Sequence, residues 1–458
     1  MRPTPTGPPL WSAEPRMSAM ETMFWRGETD PRIRVVIMAV EVLDRAPDWD
    51  HLVRRHDRLS RVAPRLRQRV ADSAVRLGRP RWEDDPHFDL GYHLRRVRLP
   101  EPGTLRRLLD LARTAALTPL DRTRPLWEAT LVEGLAGGGA AYVLKLHHSL
   151  CDGIGAAQLF AVLHDAGASD SPVRLTPLPT PTAPPDGRHR VGAPRRSSGP
   201  VAAGVRAGRF ARTVLKATML PAAPPSPLLS GRSRARFFDA VTLPTADLRA
   251  AGRAVGGSMN DCYLALLLGA FSRYHEHFGV ELAELPVLMP ISTRTAESDP
   301  GGNRFASHRL AAPMSGADFA RRVRGVRAAV ASARDGTALK ALAVLARCAT
   351  PMPAPVIAFA ERMLFRGNDL LASNFPGTAE SAWLAGARVE AVYPFAPVVL
   401  GAATAVMVSY GANCHIGLNL DPAAIRRPEV FLDCLHREWE DVLAQIRNTP
   451  SPDVDPHR

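Results

Sequence analysis

Seven residues in the first third of the chain, His147-His148-Ser149-Leu150-Cys151-Asp152-Gly153, stand where the hydrophobic period changes from that of a strand to that of a helix. The preceding run Ala141-Tyr142-Val143-Leu144-Lys145-Leu146 is β-branched, aromatic and apolar, as suits a strand entering a core. In the following run, Gly153 to Gly167, Ile154, Ala157, Leu159, Phe160 and Leu163 recur at helical spacing, while Gly153 and Gly155 loosen the first turn. The seven residues therefore fall on a tight strand-to-helix connection, which points to an α/β fold.

A neutral imidazole is well suited to remove a proton from an alcohol, because its unperturbed pKa of about 6.5 lies close to neutral pH. His148, with His147 beside it, is the candidate base. Asp152, four positions on, can orient the imidazole through its second ring nitrogen, as in a triad, or turn away and pair with a distant arginine to hold the loop. The plainer alternative makes both histidines packing residues and Asp152 a turn residue before Gly153, since short patterns recur by chance.

At 458 residues the chain is long enough for two domains with substantial cores, because single cores stop growing at about 250–300 residues. Hydrophobic content of 46% with 22% charged residues is ordinary for a globular protein. The five cysteines, Cys151, Cys262, Cys348, Cys414 and Cys434, are scattered and lack CxxC spacing, which predicts a reduced, cytosolic setting and no metal site. Cys151 reads as a small buried filler. Residues 1–16 are Pro-rich without a continuous apolar run, unlike a signal peptide, and are expected to be disordered. No uncharged apolar stretch reaches the length of a membrane span; Ala396 to Val408 comes closest and reads as a core strand.

Charge is concentrated in one place. Residues 187–238 hold eleven Lys and Arg and no acid, so most of the net charge of +13 sits there. Pro-rich stretches at Pro172 to Pro185 and Pro221 to Pro227 mark this region, 168–235, as the connection between domains. Within it Val201 to Leu220 can form a helix with Arg206, Arg209, Arg212 and Lys216 on one arc and Phe210, Val214 and Leu215 on another. Such a helix suits peripheral contact with an anionic membrane or lipid-droplet surface; a solvated linker is the alternative. Nucleic acid is not expected, since no recognition motif or interleaved aromatics accompany the arginines.

The flanking regions alternate strand-like and helix-like segments. In residues 17–167 these are Arg34 to Leu43, Trp49 to His56, Tyr92 to Leu99 and Leu105 to Ala115, followed by the motif strand, which predicts a mixed sheet flanked by helices. Residues 236–450 repeat the alternation, ahead of a short tail, 451–458. There Ser258-x-x-Asp261 forms a capping-box pattern before the helical run Tyr263 to His277. That pattern gives Asp261 a structural role.

The chain resembles the bacterial wax ester synthase and acyl-CoA:diacylglycerol acyltransferase family, whose signature is HHxxxDG. The likeness includes Pro125-Leu126-Trp127, Asn260-Asp261, Pro290-Ile291-Ser292-Thr293-Arg294, Gly302-Asn303 and Ser373-Asn374-Phe375-Pro376-Gly377, and runs from about Met17 to about Leu443. It departs at Ser18-Ala19-Met20-Glu21, where the family often has Asp in the last position, and at Ser149 and Cys151, where small apolar residues are common.

The resemblance implies a two-domain fold like that of chloramphenicol acetyltransferase, with a tunnel between the halves and His148 midway. It implies O-acyl transfer from acyl-CoA to a lipid alcohol, either diacylglycerol or a long-chain alcohol, with acyl-CoA as co-substrate and no further cofactor. It places Asn260 near the reaction centre and pairs Arg294 with Asp152 across the domain boundary. The expected setting is cytoplasmic, at a membrane or lipid-droplet surface. Ser373 and Asn374 could approach the thioester or cap a turn before Pro376, and the turn is the simpler expectation. Trp127 and His415 read as core residues. Two other functions share the pattern: a condensation-domain-like enzyme taking its acyl group from a carrier protein, and a non-catalytic lipid-binding relative.

Overall fold

The computed structural model describes residues 14–72, 78–165, 221–294, 301–303, 305–314, 318–333, 346, 350 and 352–448. Two six-stranded mixed sheets flanked by helices form the two halves of an α/β molecule. In the first half, β1 (Val36–Leu43), β4 (Leu94–Arg98), β5 (Trp127–Glu133) and β6 (Ala140–His147) pair in the order β1-β6-β5-β4. Every residue of β6 is buried, as its continuous apolar run requires. Helices α2 (Trp49–Val62), α4 (Leu105–Leu117) and α5 (Gly153–Leu163) contribute Leu52, Leu108 and Leu159 to one core with this sheet. Helix α1 (Ala19–Gly27) begins with a capping box between Ser18 and Glu21, and Glu21 is ion-paired to the buried Arg65 at 2.8 Å. Residues Gln68–Ala71 (β2) and Arg81–Asp84 (β3) form a separate two-stranded ribbon, and α3 (Leu90–His93) is one short turn.

The second sheet runs β7 (Phe237–Pro244), β14 (Asn413–Leu420), β13 (Ala403–Tyr410), β10 (Leu370–Phe375), β8 (Glu284–Ser292) and β9 (Phe305–Pro313). Its helices are α6 (Thr245–Ala254), α7 (Met259–His277), α8 (Phe319–Ala333), α9 (Ala354–Phe365) and α10 (Pro428–Asn448). The capping box at Ser258 and Asp261 is formed, and α7 is buried on nearly all sides from Cys262 to Phe271. No single helix among the described residues is long and apolar enough to cross a membrane.

The division at residues 167 and 236 does not hold for the sheets. Strands β11 (Trp383–Leu384) and β12 (Ala387–Phe395), from the C-terminal half, join the edge of the first sheet, with β12 antiparallel to β1 from Met38↔Phe395 to Leu43↔Val389. Where β12 crosses β14, a Cβ on Gly417 would lie 1.9 Å from the carbonyl oxygen of Pro394, so only glycine allows the two backbones to pass. Phe238 stacks on Phe395 at 4.3 Å in the same seam.

Local readings also change. Tyr92 to Leu99 is not one strand: Asp89 caps a helical turn, and the strand starts at Leu94. The apolar run from Ala396 enters its strand only at Ala403, after a left-handed residue at Leu400. Of the basic segment 187–238, residues 187–220, with the helix expected over 201–220, lie outside the described residues. Two arginines from its end are paired within the protein: the exposed Arg232 with Asp369 at 3.0 Å and Arg236 with Asp421 at 3.5 Å.

Candidate active site

Strand β6 ends at His147, and Asp152 caps α5 by accepting the Gly155 N–H at 2.8 Å, so His148 sits on a tight turn, residues 148–152, between a buried strand and a partly buried helix. The turn is anchored at both flanks. The His148 N–H donates to Val35 O at 2.8 Å, and Cys151 forms a parallel bridge with Gly302. A Cβ on Gly155 would lie 2.6 Å from that of Cys151, so glycine here serves close packing rather than looseness in the helix start. Cys151 itself is fully buried, and burial together with the charge of Asp152 pushes its thiol far above the ordinary range. That removes it as a nucleophile.

The two histidines are held differently. The Ser149 N–H points at His147 Nδ1 at 3.1 Å, so that nitrogen accepts and Nε2 carries the proton donated to Glu28 at 3.2 Å. Burial works to raise the Glu28 pKa; the His147 contact and the charge of Arg122 outweigh it and hold the carboxyl below its usual value. His147 is buried and its ring is fully engaged.

His148 takes its orientation from the other half of the chain. Asn303 Nδ2 donates to His148 O at 2.7 Å, which fixes the side-chain amide so that Asn303 Oδ1 faces His148 Nδ1 at 3.0 Å. Nδ1 is therefore the protonated nitrogen and Nε2 is the bare one. The half-buried ring lies between Phe24 and Phe305, with centroids at 4.9 and 5.6 Å. Burial lowers its pKa below the ordinary value, against the opposing pull of Asp152 and Asn303. A neutral imidazole with a free Nε2 is the form needed to accept a proton.

Asp152 resolves the choice left open above. Both its oxygens accept from Arg294 Nη2, at 2.9 and 3.0 Å, and the same nitrogen donates to the carbonyls of Gly301 and Gly302. Arg294 follows β8 and Asn303 precedes β9, and both side chains reach the motif turn. Gly301 N–H donates to Gln158 on α5 at 3.0 Å, completing that contact. Asp152 thus braces the turn, while Asn303, whose role sequence reasoning missed, orients the base.

His148 lines a cavity of about 300 Å³ between the halves. Its walls are largely apolar, including Val35, Ile37, Phe160, Phe365 and Val406. A second cavity, about 1320 Å³, adjoins it, and Ile154, Pro290, Ser292, Asn374, Phe375 and Gly377 belong to both linings. The second is more polar than the first and is cationic, with Arg249 and Arg327 among its lining residues. Asp261 is its single acidic lining residue among the described residues, and that carboxylate is engaged by Ser258.

The structure thus gathers His147, His148, Asp152, Gly153 and Arg294 at one turn. Asn260 is placed elsewhere: as the second residue of α7 it lines the cationic cavity and not the cavity of His148. Ser373 and Asn374 do not cap a turn; they are strand residues of β10, paired with Val406 and Met407, and both line the His148 cavity. Trp127 is a core residue whose indole donates to Leu66 O at 2.8 Å. His415 is buried beside Thr242, with burial driving its pKa down to about 4.

Residues 17–263 match the model of the wax ester synthase/diacylglycerol acyltransferase catalytic domain, and residues 301–442 that of the family's C-terminal domain. A Mycobacterium tuberculosis protein whose name assigns it as a diacylglycerol O-acyltransferase is 37% identical over 470 residues, covering 96% of this chain and 95% of its own. A second such protein from that organism is 30% identical, covering 94% and 95%. Among solved structures, the wax ester synthase/diacylglycerol acyltransferase of Marinobacter aquaeolei VT8 superposes with a TM-score of 0.65 at 21% identity, over 94% of this chain and all of the other. The first condensation domain of the calcium-dependent antibiotic synthetase follows the same fold, with a TM-score of 0.61 at 18% identity, over 98% and 99%.

Proposed function

The chain belongs to the wax ester synthase/diacylglycerol acyltransferase family, and from that premise we propose that it moves a fatty acyl group from acyl-CoA to the hydroxyl of a lipid alcohol, with His148 as general base. The observation that carries this reading is the tautomer set by Asn303, which leaves Nε2 unprotonated on the wall of an apolar cavity. His148 Nε2 takes the hydroxyl proton, and the oxygen attacks the thioester carbonyl. The tetrahedral oxyanion then collapses, breaking the carbon–sulfur bond, and the imidazolium returns the proton to the leaving thiolate. No acyl-enzyme intermediate is required. General-base help of this kind is worth about a hundred- to ten-thousandfold.

The remaining parts of the chemistry have residues to match. Asn374 and Ser292 stand on the wall common to both cavities. Ser292 Oγ accepts the Arg294 N–H at 3.3 Å, so its hydroxyl proton is free to donate to the oxyanion, as is the Asn374 amide. The phosphates of acyl-CoA suit Arg249 and Arg327 in the cationic cavity, and the hydrocarbon suits the apolar one.

The test is purified protein with labelled palmitoyl-CoA, offered hexadecanol and diacylglycerol in separate reactions. Release of coenzyme A that requires one of these alcohols and is lost in His148→Ala supports the reading and identifies the acceptor. Absence of acyl transfer to either rejects it.

A further inference from the structure

We infer that the apolar cavity beside His148 is a gauge for one long hydrocarbon tail, closed at its far end by the buried pair Glu41 and His164; this rests on the acyl-transfer reading above. Two elements leave the His148 turn in the same direction. β1 is antiparallel to β6, with Val36 opposite His147 and Glu41 opposite Tyr142, so it runs away from the turn beginning beside Val35. α5 starts at Gly153 and also runs back along β6. Val35, which precedes β1, and the alternate β1 residues Ile37 and Ala39 form one wall, and Ala157 and Ala161 of α5 form another.

The two elements converge on one contact. His164, which follows the last residue of α5, places Nε2 3.0 and 3.1 Å from the two carboxylate oxygens of Glu41, and both residues line the cavity. Glu41 is fully buried and His164 is largely so, and together they stand across this end. The end is also stiff: Arg55 donates to the carbonyls of Val162 and Leu163, each at 2.9 Å, and pairs with Asp165 at 3.1 Å. A tail that went further would have to separate this hydrogen-bonded pair and leave the buried Glu41 carboxylate without it, and burying one more methylene does not offset that.

The depth follows from the elements. From Gly153 to His164 the helix rises about 17 Å at about 1.5 Å per residue. From Val35 to Glu41 the strand spans about 20 Å at about 3.3 Å per residue. A membrane leaflet, half of a hydrocarbon core about 30 Å thick, is the depth of a long-chain tail, so the cavity takes about 14–18 carbons. Such a tail belongs either to the acyl donor or to a fatty alcohol acceptor, and the experiment separates the two.

Acyl-CoAs from octanoyl to stearoyl are compared with hexadecanol and with diacylglycerol fixed as acceptors, and alcohols from octanol to octadecanol with palmitoyl-CoA fixed, in wild type, Ala161→Phe and the double variant Glu41→Ala, His164→Ala. Position 161 is about 12 Å along the helix from Gly153, so Ala161→Phe should shift preference at least tenfold toward tails of about 8–10 carbons in one series only. The double variant should move the same series toward longer tails. The series that moves identifies whose tail the cavity holds. The gauge is overturned if Ala161→Phe keeps the wild-type profile in both series, or is inactive toward every length, since short tails must still fit. Wild type that transfers no acyl group in either series would instead reject the acyl-transfer reading itself.

Discussion

Two loops meet at His148, and they come from opposite halves of the chain with opposite chemical character. The motif turn, residues 148–152, carries the base, and its own hydrogen bonds tie it to its neighbours: Val35 before it and Gly155 after it. From the other half, Asn303 selects the tautomer and Arg294 holds Asp152, and neither of these two side chains is a candidate to take the substrate's proton. The contrast teaches that in this fold the reactive side chain and the geometry that makes it reactive are supplied by segments about 150 residues apart in sequence. One loop is a reagent and the other is a clamp.

Substitutions in each loop should therefore fail differently. His148→Ala, in the first loop, is expected to lower kcat/KM by about a hundred- to ten-thousandfold with the melting temperature little changed; turnover near wild type would move the base elsewhere. Arg294→Ala, in the second, leaves the nearly buried Asp152 carboxylate without its cation and should cost about 3–5 kcal/mol of stability, with activity falling as a consequence. Chemical denaturation reads this directly, and an unchanged midpoint would erase the distinction between reagent and clamp. Asn303→Ala should keep the fold and lose about tenfold in kcat, the equivalent of one hydrogen bond to the base.

The pH profile sharpens the same point. Because burial depresses the His148 pKa, the imidazole stays neutral into mildly acidic solution, and the acid limb of kcat/KM should lie below about 6.5. Asn303→Asp places a carboxylate against Nδ1, favours the imidazolium, and should move that limb upward. The smallest effect is expected at Cys151→Ala. Its thiol is buried and protonated, so activity should be unchanged and stability lower by about 1 kcal/mol.

The reagent was legible in the sequence, and the family resemblance marked the Arg294–Asp152 half of the clamp but not the contact of Asn303 with the base. The change of period around residues 147–153 is a local signal, and so is the capping box of Ser258 and Asp261; both appear in the structure as read. Asn303 carries no local sign of its function, because its two hydrogen bonds to His148 span 155 residues. Only the Gly302-Asn303 match to the family could have marked it. The same cause explains β12, whose alternating pattern announces a strand and says nothing about which sheet receives it. Asn260 illustrates the converse: the family resemblance put it near the reaction centre, while its place in the first turn of α7 puts it in the lining of the cationic cavity. Glu41 and His164 were hidden for a simpler reason, since an acid within a strand and a histidine after a helix look like surface residues until the two elements are laid side by side.

The loan of β12 to the first sheet has a consequence for how the polypeptide can be divided. Severed near the proline-rich connection, the N-terminal fragment would present the backbone amides and carbonyls of β1 along an open border, a template for self-association. Added back in trans, the C-terminal fragment would have to seat its strand on that border and close the Gly417 crossing in the same event. Reassembly of the halves and recovery of turnover should then share a single concentration dependence.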